Sequence, residues 1–362
     1  MTRVDQLLPR LAGRDAVGAH TLAVQDALRA TGIESDVFAA EWDADVAGRV
    51  RTFDEYSDYS DADDAWLMYH ASVGSHVGGW FAERTVRKLV DYHNVTPHEF
   101  FDAWAPEISG LLVSGRHQLE DLAPLARAGL ADSHFNELDM RTAGFAPTAV
   151  VPIMVDVRRS VGVVDEQLLD GLGATKRGAD WVFVGRVAPN KAQHELIKAF
   201  ALYRHSFDPG ARLWVVGGES SALYRAALDR FVTDLDLANA VVLTGSVSDA
   251  ELGAYYEAAD MFVCVSRHEG FCVPVLEAMA HSVPVVALAS TAVPETVGDA
   301  AALVPENAPL HEVAAAVWRV ASDAPTRRAL IEAGHRRVEH FSVERSSQVL
   351  LDAISTILGR NA

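Results

Sequence analysis

Residues 266–279 read SRHEGFCVPVLEAM, and they place two glutamates, Glu269 and Glu277, eight positions apart. The apolar run at 261–265 predicts a buried strand, and Pro274 suits the first turn of a following helix. Glu269 is therefore expected at the carboxyl end of a strand, and Glu277 one turn inside the helix. The backbone N–H groups between them favour an anion or a set of hydroxyls, and carboxylates accept hydrogen bonds from vicinal diols. Phosphate and diols together indicate a sugar nucleotide, although an acid pair at this spacing also arises by chance in capped turns.

The carboxyl half alternates between short apolar runs and amphipathic stretches. This pattern predicts a parallel sheet with helices on both faces. The predicted strands are 181–184, 212–216, 241–243, 261–265 and 284–287, and the predicted helices are 193–203, 221–235 and 249–259. The amino half repeats the theme less clearly, with a helix at 16–30 and strands at 4–8, 34–38, 65–69, 88–92, 111–114 and 129–133.

The length of 362 residues is enough for two domains, because single cores seldom grow beyond about 250–300 residues. The stretch 157–179 contains glycines and charges and no strong strand pattern. We therefore expect a first domain over 1–160 and a second over 161–341.

Composition excludes several classes of function. The formal net charge of −19 argues against nucleic acid or an anionic membrane as the main partner. Apolar runs end well short of the ~18 residues that span a bilayer, and no leader pattern is evident. Cys264 and Cys272 are the two cysteines of the chain, too few for a disulfide framework. A cytoplasmic protein is expected.

A second motif, VGRVAPNK at 184–191, places Arg186 and Lys191 in a loop after a predicted strand. An arginine fork and a lysine point charge suit the two phosphates of a departing diphosphate. The alternative is a solvated loop with two surface cations.

Weaker signals lie in the amino half. Gly18 follows the first strand at a helix start, where glycine lets the backbone approach a phosphate. His70 and His93 each end a predicted strand. Histidines at strand ends are more often hydrogen-bonded structural residues than catalysts, and we assign His70 to an acceptor side only as one of two equal alternatives.

The E-x7-E stretch and the G-R-x4-K loop closely resemble those of retaining glycosyltransferases of family 4, which have the GT-B fold. This resemblance implies an α/β architecture of two Rossmann-like parallel-sheet domains that face a central cleft. It covers most of the carboxyl half and patches of the amino half. It also implies that the last helical stretch, 342–362, returns to the first domain.

The resemblance assigns roles to residues of the carboxyl half. Glu277 is expected to bind the ribose diol, and Arg186 and Lys191 to hold the diphosphate and ease its departure. Glu269 is expected to grip the transferred sugar, together with the backbone amides of Gly270, Phe271 and Cys272. Ser246 and Val247 are expected to flank the nucleobase.

In the amino half the resemblance assigns Gly18 to the donor diphosphate and His93 to the transferred sugar. His93 is expected to hydrogen-bond that sugar and to help stabilise positive charge near the anomeric carbon through its backbone carbonyl. The sequence has one useful glycine in this loop where the family has a cluster.

The sequence thus predicts a retaining transferase that moves a sugar from a nucleoside diphosphate to an acceptor hydroxyl. No metal site stands out, and no metal or other cofactor is expected. A sugar phosphorylase on the same fold and a non-catalytic sugar-nucleotide-binding protein remain alternatives. The base (UDP, GDP or another), the sugar and the acceptor stay open.

Overall fold

A computed structural model describes residues 2–56 and 65–359. Residue 1, residues 57–64 and residues 360–362, which the predicted domain ranges include, lie outside the described residues. The strands are β1 (Arg3–Leu11), β2 (Val37–Trp42), β3 (Val50–Thr52), β4 (Ala65–Ala71), β5 (Arg87–Tyr92), β6 (Ala128–Ala131), β7 (Thr148–Val150), β8 (Asp180–Val184), β9 (Arg212–Val216), β10 (Val241–Gly245), β11 (Met261–Cys264), β12 (Val285–Leu288) and β13 (Ala301–Val304).

The α-helices that the structure describes are α1 (Ala16–Ala30), α2 (His76–Ala82), α3 (Pro106–Leu122), α4 (His134–Thr142), α5 (Glu166–Thr175), α6 (Gln193–Ser206), α7 (Ala222–Asp234), α8 (Asp249–Ala258), α9 (Val273–Ala280), α10 (Val293–Val297), α11 (Leu310–Ser322), α12 (Ala324–His340) and α13 (Val343–Ile357). Among the described residues, no helix combines the length and the apolar character that crossing a bilayer requires.

The chain divides into two compact units. The first contains Met1–Glu99, Glu107–Val155 and Phe341–Ala362, and the second contains Phe100–Pro106 and Asp156–His340. The change at 155–156 lies five residues before the predicted boundary, and the short segment Phe100–Pro106 falls in the second unit, which sequence patterns do not reveal.

The first unit is a parallel sheet in the order β3-β2-β1-β4-β5-β6-β7. One face is covered by an apolar cluster to which α1 contributes Val24 and Leu28, and α13 contributes Leu350 and Ile354. The last helix of the described chain is therefore part of the core of the first unit.

The second unit is a parallel sheet in the order β10-β9-β8-β11-β12-β13. Its central strands are short, and in β11 and β12 all four residues are buried. Burial on both faces explains why these strands read as continuous apolar runs in the sequence. Two doubly wound α/β units of this kind confirm the predicted fold class.

Two predicted elements of the amino half were wrong in type or position. The run 111–114 was predicted as a strand and lies inside α3, whose buried residues Ser109, Leu112, Leu119 and Leu122 follow the helical period. Three consecutive apolar residues fit both a buried strand and the buried face of a helix. The helical spacing of buried residues along the whole of α3 decides between the two. The second strand begins at Val37, three residues after the predicted start.

Candidate functional site

The strand order of the second unit contains one reversal. From β8 the chain moves outward through β9 and β10, and it then returns to place β11 on the other side of β8. In open parallel sheets, ligands bind beyond the carboxyl ends of the strands at such a reversal. The loops that follow β8 and β11 are residues 185–191 and 265–272, and they contain the G-R-x4-K loop and the first half of the E-x7-E stretch.

Backbone and side-chain hydrogen bonds hold these two loops side by side. The N–H of Arg267 donates to the carbonyl of Asn190 at 2.8 Å, and the Asn190 side-chain amide donates to the carbonyl of His268 at 3.1 Å. Asn190 is buried, and it lies in a short 3-10 turn, Pro189–Lys191. Asn190, one of the four residues between Arg186 and Lys191, therefore helps to position the lysine that follows it.

Lys191 and Glu269 meet across the two loops. Lys191 Nζ lies 2.6 Å from Glu269 Oε2, and the side chains are 22% and 8% exposed. Burial alone would lower the pKa of Lys191, but the negative charge of Glu269 outweighs it and the pKa is raised. Lys191 is therefore a fixed positive charge at the reversal of the sheet.

Thr291, in the loop after β12, fixes the backbone of Glu269. The Glu269 N–H donates to Thr291 Oγ1 at 2.9 Å, and the Thr291 hydroxyl donates to the Glu269 carbonyl at 2.8 Å. Thr291 adopts a φ of 43°, a region that β-branched residues rarely enter. Strain of this kind persists where the surroundings impose it, often at a functional site.

Glu277 lies on α9 with only 5% of its surface exposed. The Tyr256 hydroxyl donates to its Oε2 at 3.1 Å, and Arg159 Nη2 lies 3.7 Å from Oε1. Burial raises the pKa of Glu277, and the positive charge of Arg159 opposes the shift. The sequence predicts this carboxylate, but neither the tyrosine nor the arginine that flank it.

A buried histidine supports the Glu277 surroundings. His281 stacks on Tyr256 with ring centroids 4.8 Å apart. Its Nε2 lies 2.9 Å from the hydroxyl of buried Ser160, and its Nδ1 lies 3.1 Å from Glu257 Oε1. Because Ser160 adjoins Arg159, these contacts hold both neighbours of Glu277 in place.

Arg186 is exposed at the mouth of the same loop. Its backbone carbonyl accepts a hydrogen bond from the Gln193 amide at 2.9 Å. In the described part of the chain, no group pairs with its guanidinium. The structure thus fixes the backbone of Arg186 and leaves the five N–H donors of its side chain to solvent or ligand.

Glycines bring the ends of β8, β9 and β10 close together. Gly217 has a φ of 142°, and a Cβ there would lie 2.2 Å from the Gly185 carbonyl oxygen. A Cβ on Gly218 would lie 2.6 Å from the hydroxyl of Ser246, which is exposed. Ser246 and the adjoining Val247 therefore lie at the same edge of the sheet as Arg186, two strands farther out.

Two cysteines complete this region. Cys264 ends β11, and Cys272 precedes α9 with a φ of 78°, a left-handed conformation that favours glycine. The two sulfur atoms and one Glu269 carboxylate oxygen all lie within 4.8 Å of one another. The hydrogen bond between the thiols lowers the pKa of Cys264 and raises that of Cys272.

The first unit holds a network of histidines at its own reversal, between β1 and β4. His20, His70, Asp91 and His93 are its members, with potential ligand atoms within 4.8 Å of one another. His20 Nε2 lies 2.9 Å from Asp91 Oδ2, and His70 Nδ1 lies 2.9 Å from His93 Nε2. His93 Nδ1 faces the carboxylate of Asp132 at 3.0 Å.

Backbone and amide partners settle where the protons lie. The Met154 N–H donates to His20 Nδ1, so the His20 proton is on Nε2 and points to Asp91. The Gln6 oxygen faces His70 Nε2 at 2.9 Å, which makes His70 Nδ1 an acceptor for His93. Both nitrogens of His93 therefore donate, and the ring is an imidazolium.

The pKa values agree with this assignment. Burial opposes the charge of His93, but Asp132 and Asp91 outweigh it and raise its pKa to about 9. Burial lowers the pKa of His70. With its side chain 1% exposed and both ring nitrogens donating inside the unit, the partly exposed portion of His93 is its backbone. His70 is also buried, which agrees with the alternative that it is a hydrogen-bonded structural residue.

Gly18 lies at the start of α1, where the sequence predicts it. Its N–H donates to the Asp15 carboxylate at 2.8 Å, and Asp15 thereby caps the helix. The backbone of Gly18, which the sequence assigns to a phosphate, therefore already has a partner within the chain. A Cβ on Gly18 would lie 1.9 Å from the Ala12 carbonyl oxygen. Close packing of the helix start against the first strand's end explains the glycine.

The family model described as Glycosyl transferases group 1 matches residues 178–358, half of the chain. The chain belongs to this family. The matched range contains β8 to β13 and the site residues Arg186, Lys191, Glu269 and Glu277.

Solved structures share the fold of the whole chain at low identity. A sucrose-phosphate synthase from Thermosynechococcus elongatus is 18% identical, with a TM-score of 0.77 over 100% of both chains. The HepE protein of Anabaena, solved in complex with UDP-glucose, is 17% identical, with a TM-score of 0.75 over 98% of this chain and 100% of that one. Both likenesses support the GT-B fold.

Curated relatives in the family are more similar in sequence. A D-inositol 3-phosphate glycosyltransferase of Kineococcus radiotolerans is 31% identical over 68% of this chain and 60% of its own length. A GDP-mannose-dependent alpha-(1-6)-phosphatidylinositol monomannoside mannosyltransferase of Mycobacterium tuberculosis is 34% identical over 43% of this chain and 42% of its own. The aligned part of the chain thus spans 60% or less of these relatives.

Proposed function

We propose that this protein is a retaining glycosyltransferase that moves a sugar from a nucleoside diphosphate to an acceptor hydroxyl and requires no metal ion. The observation that carries the proposal is the Lys191–Glu269 pair at the reversal of the second sheet. It places a cation suited to phosphate and a carboxylate suited to sugar hydroxyls 2.6 Å apart, where doubly wound sheets bind ligands.

The proposed chemistry divides among four side chains. Arg186 and Lys191 bind the diphosphate and stabilise the charge that develops on the leaving oxygen. Glu269 binds hydroxyls of the transferred sugar, and Glu277 binds the ribose diol. The leaving phosphate oxygen takes the proton of the acceptor hydroxyl on the same face, so no separate base is required.

Other residues have supporting parts in this proposal. The backbone amides of Gly270, Phe271 and Cys272 contact the sugar, and Ser246 and Val247 flank the base. The names of relatives specify GDP-mannose, and one structural neighbour was solved with UDP-glucose, which supports a nucleotide-sugar donor and makes these two the first donors to test.

The test is a transfer assay with a panel of donors and acceptors. UDP- and GDP-sugars are incubated with polyol acceptors, including inositol phosphates because two relatives' names specify inositol compounds. We expect release of nucleoside diphosphate that depends on the acceptor and persists in excess EDTA. NMR of the product should show the anomeric configuration of the donor. Sugar release that needs inorganic phosphate and no nucleotide would indicate a phosphorylase, and inversion would refute the mechanism.

A matched pair of variants separates chemistry from folding. Lys191→Ala should lower kcat by about 10²–10³-fold, because it removes one preorganised charge at the leaving group. Lys198→Ala, an exposed lysine on α6, should leave kcat unchanged. Equal kcat values for the two variants would refute the role of Lys191.

A further inference from the structure

Two thiols and a carboxylate converge beside the proposed donor site. Cys264 comes from the end of β11, Cys272 from the start of α9, and Glu269 from the loop between them. Both cysteines are buried, at 1% and 6% exposure. Their sulfur atoms and a Glu269 oxygen lie within 4.8 Å of one another.

This donor set suits a thiophilic divalent cation. Zn²⁺ takes tetrahedral sites with Zn–S distances of about 2.3 Å and Zn–O distances of about 2.0–2.2 Å, which separate the ligand atoms by roughly 3.5–3.8 Å. The three atoms therefore need shifts of about 1 Å or less to surround the ion. A fourth position stays open for water.

The backbone supplies an independent observation. Cys272 has a φ of 78°, where a residue other than glycine is strained by about 1–2 kcal/mol. The chain nevertheless carries a side chain here, and that side chain is the second sulfur of the group. Helix capping does not explain it, because the Cys272 side chain makes no capping hydrogen bond.

We propose that Cys264, Cys272 and Glu269 form an inhibitory Zn²⁺ site. The inhibitory role rests on the proposed function, whereas the metal site itself does not. Each thiol gives up its proton to solvent on binding, and two thiolates and one carboxylate hold the ion. Glu269 then no longer pairs with Lys191, and it is not available to the hydroxyls of a donor sugar. Zn²⁺ and donor therefore exclude each other, and each weakens the binding of the other by the same factor.

Co²⁺ titration of the metal-free protein tests the metal site directly. Wild type should show a thiolate-to-cobalt charge-transfer band in the near ultraviolet, with one ion per chain bound through two thiolates. Cys264→Ser should halve the band and weaken Co²⁺ and Zn²⁺ binding by about 100-fold, since it removes a ligand. Cys264→Ala is the second variant, should the hydroxyl disturb the strand. Wild type without the band would overturn the proposal.

The histidine group of the first unit is the internal control. Ions bound to His70, His93 and Asp91 have no sulfur ligand, give no thiolate band and are unaffected by Cys264→Ser. Any ion that persists in the variant without a thiolate band is assigned there. A wild-type spectrum identical to that of Cys264→Ser would therefore overturn the cysteine site even if zinc binds.

Donor binding tests the inhibitory role. Zn²⁺ should weaken donor binding at least about 10-fold in wild type, with recovery in EDTA, and should have little effect on Cys264→Ser. Zinc bound with a thiolate band but unchanged donor affinity would overturn inhibition. A metal-free protein that binds no nucleotide sugar would instead overturn the proposed function, while the cobalt spectrum still decides the metal site.

Discussion

Glu277 shows at the residue scale how burial sets the pH range of a carboxylate. Its pKa is raised by desolvation, and its useful form, the acceptor of diol hydrogen bonds, is the ionised one. We predict that donor affinity falls on acidification at a higher pH than an exposed glutamate would give. Glu277→Gln should bind donor about 10–100-fold more weakly, since hydrogen bonds to a charged group are lost, and with little pH dependence between pH 5 and 8. Isothermal titration across this range is the measurement. An equal pH dependence in wild type and variant would contradict the assignment.

His93 is a second residue whose charge state has a measurable consequence. Its pKa rises to about 9 in the folded protein, above the value of about 6.5 in an unfolded chain. A raised pKa stabilises the fold below the unfolded value, and this stabilisation is lost as the pH rises through 9. We predict that wild type loses on the order of 3 kcal/mol of unfolding free energy between pH 6.5 and 9.5 through this group.

The control for this prediction is a variant pair. His93→Gln should flatten the pH dependence above pH 6.5, whereas His117→Gln, at an exposed position on α3, should retain it. Urea unfolding followed by hydrogen exchange in the first unit gives the free energies. Because the pKa of His70 is lowered by burial, its contribution is lost as the pH falls below about 6.5. Stability from the network is therefore greatest near that pH.

The sequence predicts some site residues and misses others for a physical reason. Glu269, Glu277, Arg186 and Lys191 lie in local motifs whose spacing relates to one strand end and one helix start. His20 and Asp91 are 71 positions apart, and the Met154 N–H that fixes the His20 proton is 134 positions from it. No local spacing encodes such partners, because the sheet brings them together.

At the scale of elements, we predict that replacing glycine by alanine has opposite effects on stability at two positions. Gly217→Ala should lower the unfolding free energy of the second unit by about 3 kcal/mol or more, because φ is 142° and the new Cβ would meet the Gly185 carbonyl. Gly171→Ala should raise it by roughly 0.5–1 kcal/mol, because this glycine lies inside α5 and nothing lies within 4 Å of the added carbon. Chemical denaturation of both variants is the measurement, and shifts of the same sign would contradict this steric explanation.

Strands and helices were predictable from the sequence where the hydrophobic pattern fitted only one of the two. Strand β9 has the predicted bounds, Arg212–Val216, because five consecutive residues are bounded by glycines and a turn. The run 111–114 was wrong because a short apolar run fits the buried face of a helix equally well. Local sequence patterns do not determine the order of strands within each sheet. That order follows from how the connections between parallel strands pack against the sheet.

At the scale of the whole molecule, α13 contributes to the core of the first unit although more than 180 residues separate it from the rest of that unit. Leu350 is fully buried against Val24 and Leu28, while the adjacent Val349 is 41% exposed. We predict that Leu350→Ala costs about 2–5 kcal/mol of unfolding free energy, with the loss seen in amide exchange of the first unit. Val349→Ala should cost less than about 0.5 kcal/mol. Loss of protection in the second unit instead would contradict the core assignment.

The sequence anticipates two doubly wound units and a helix that returns to the first, but not the placement of Phe100–Pro106 in the second. Contacts explain that placement, since the Trp104 carbonyl accepts from Ser221 at the start of α7, and its ring packs on Tyr224. One short segment with neither strand nor helix pattern gives no signal in the sequence.

The split composition of the first unit bears on synthesis by the ribosome. When residues 1–155 have emerged, the surface that Leu350 and Ile354 cover is still bare, with Val24, Leu28 and Trp66 open to water. The second unit has its complete set of strands by residue 304, some forty residues before α13 begins. A nascent chain therefore exposes an apolar face for the whole time that the second unit is being translated. Chaperones that shield apolar faces would be most needed in that interval, which ribosome profiling of bound chaperone can resolve.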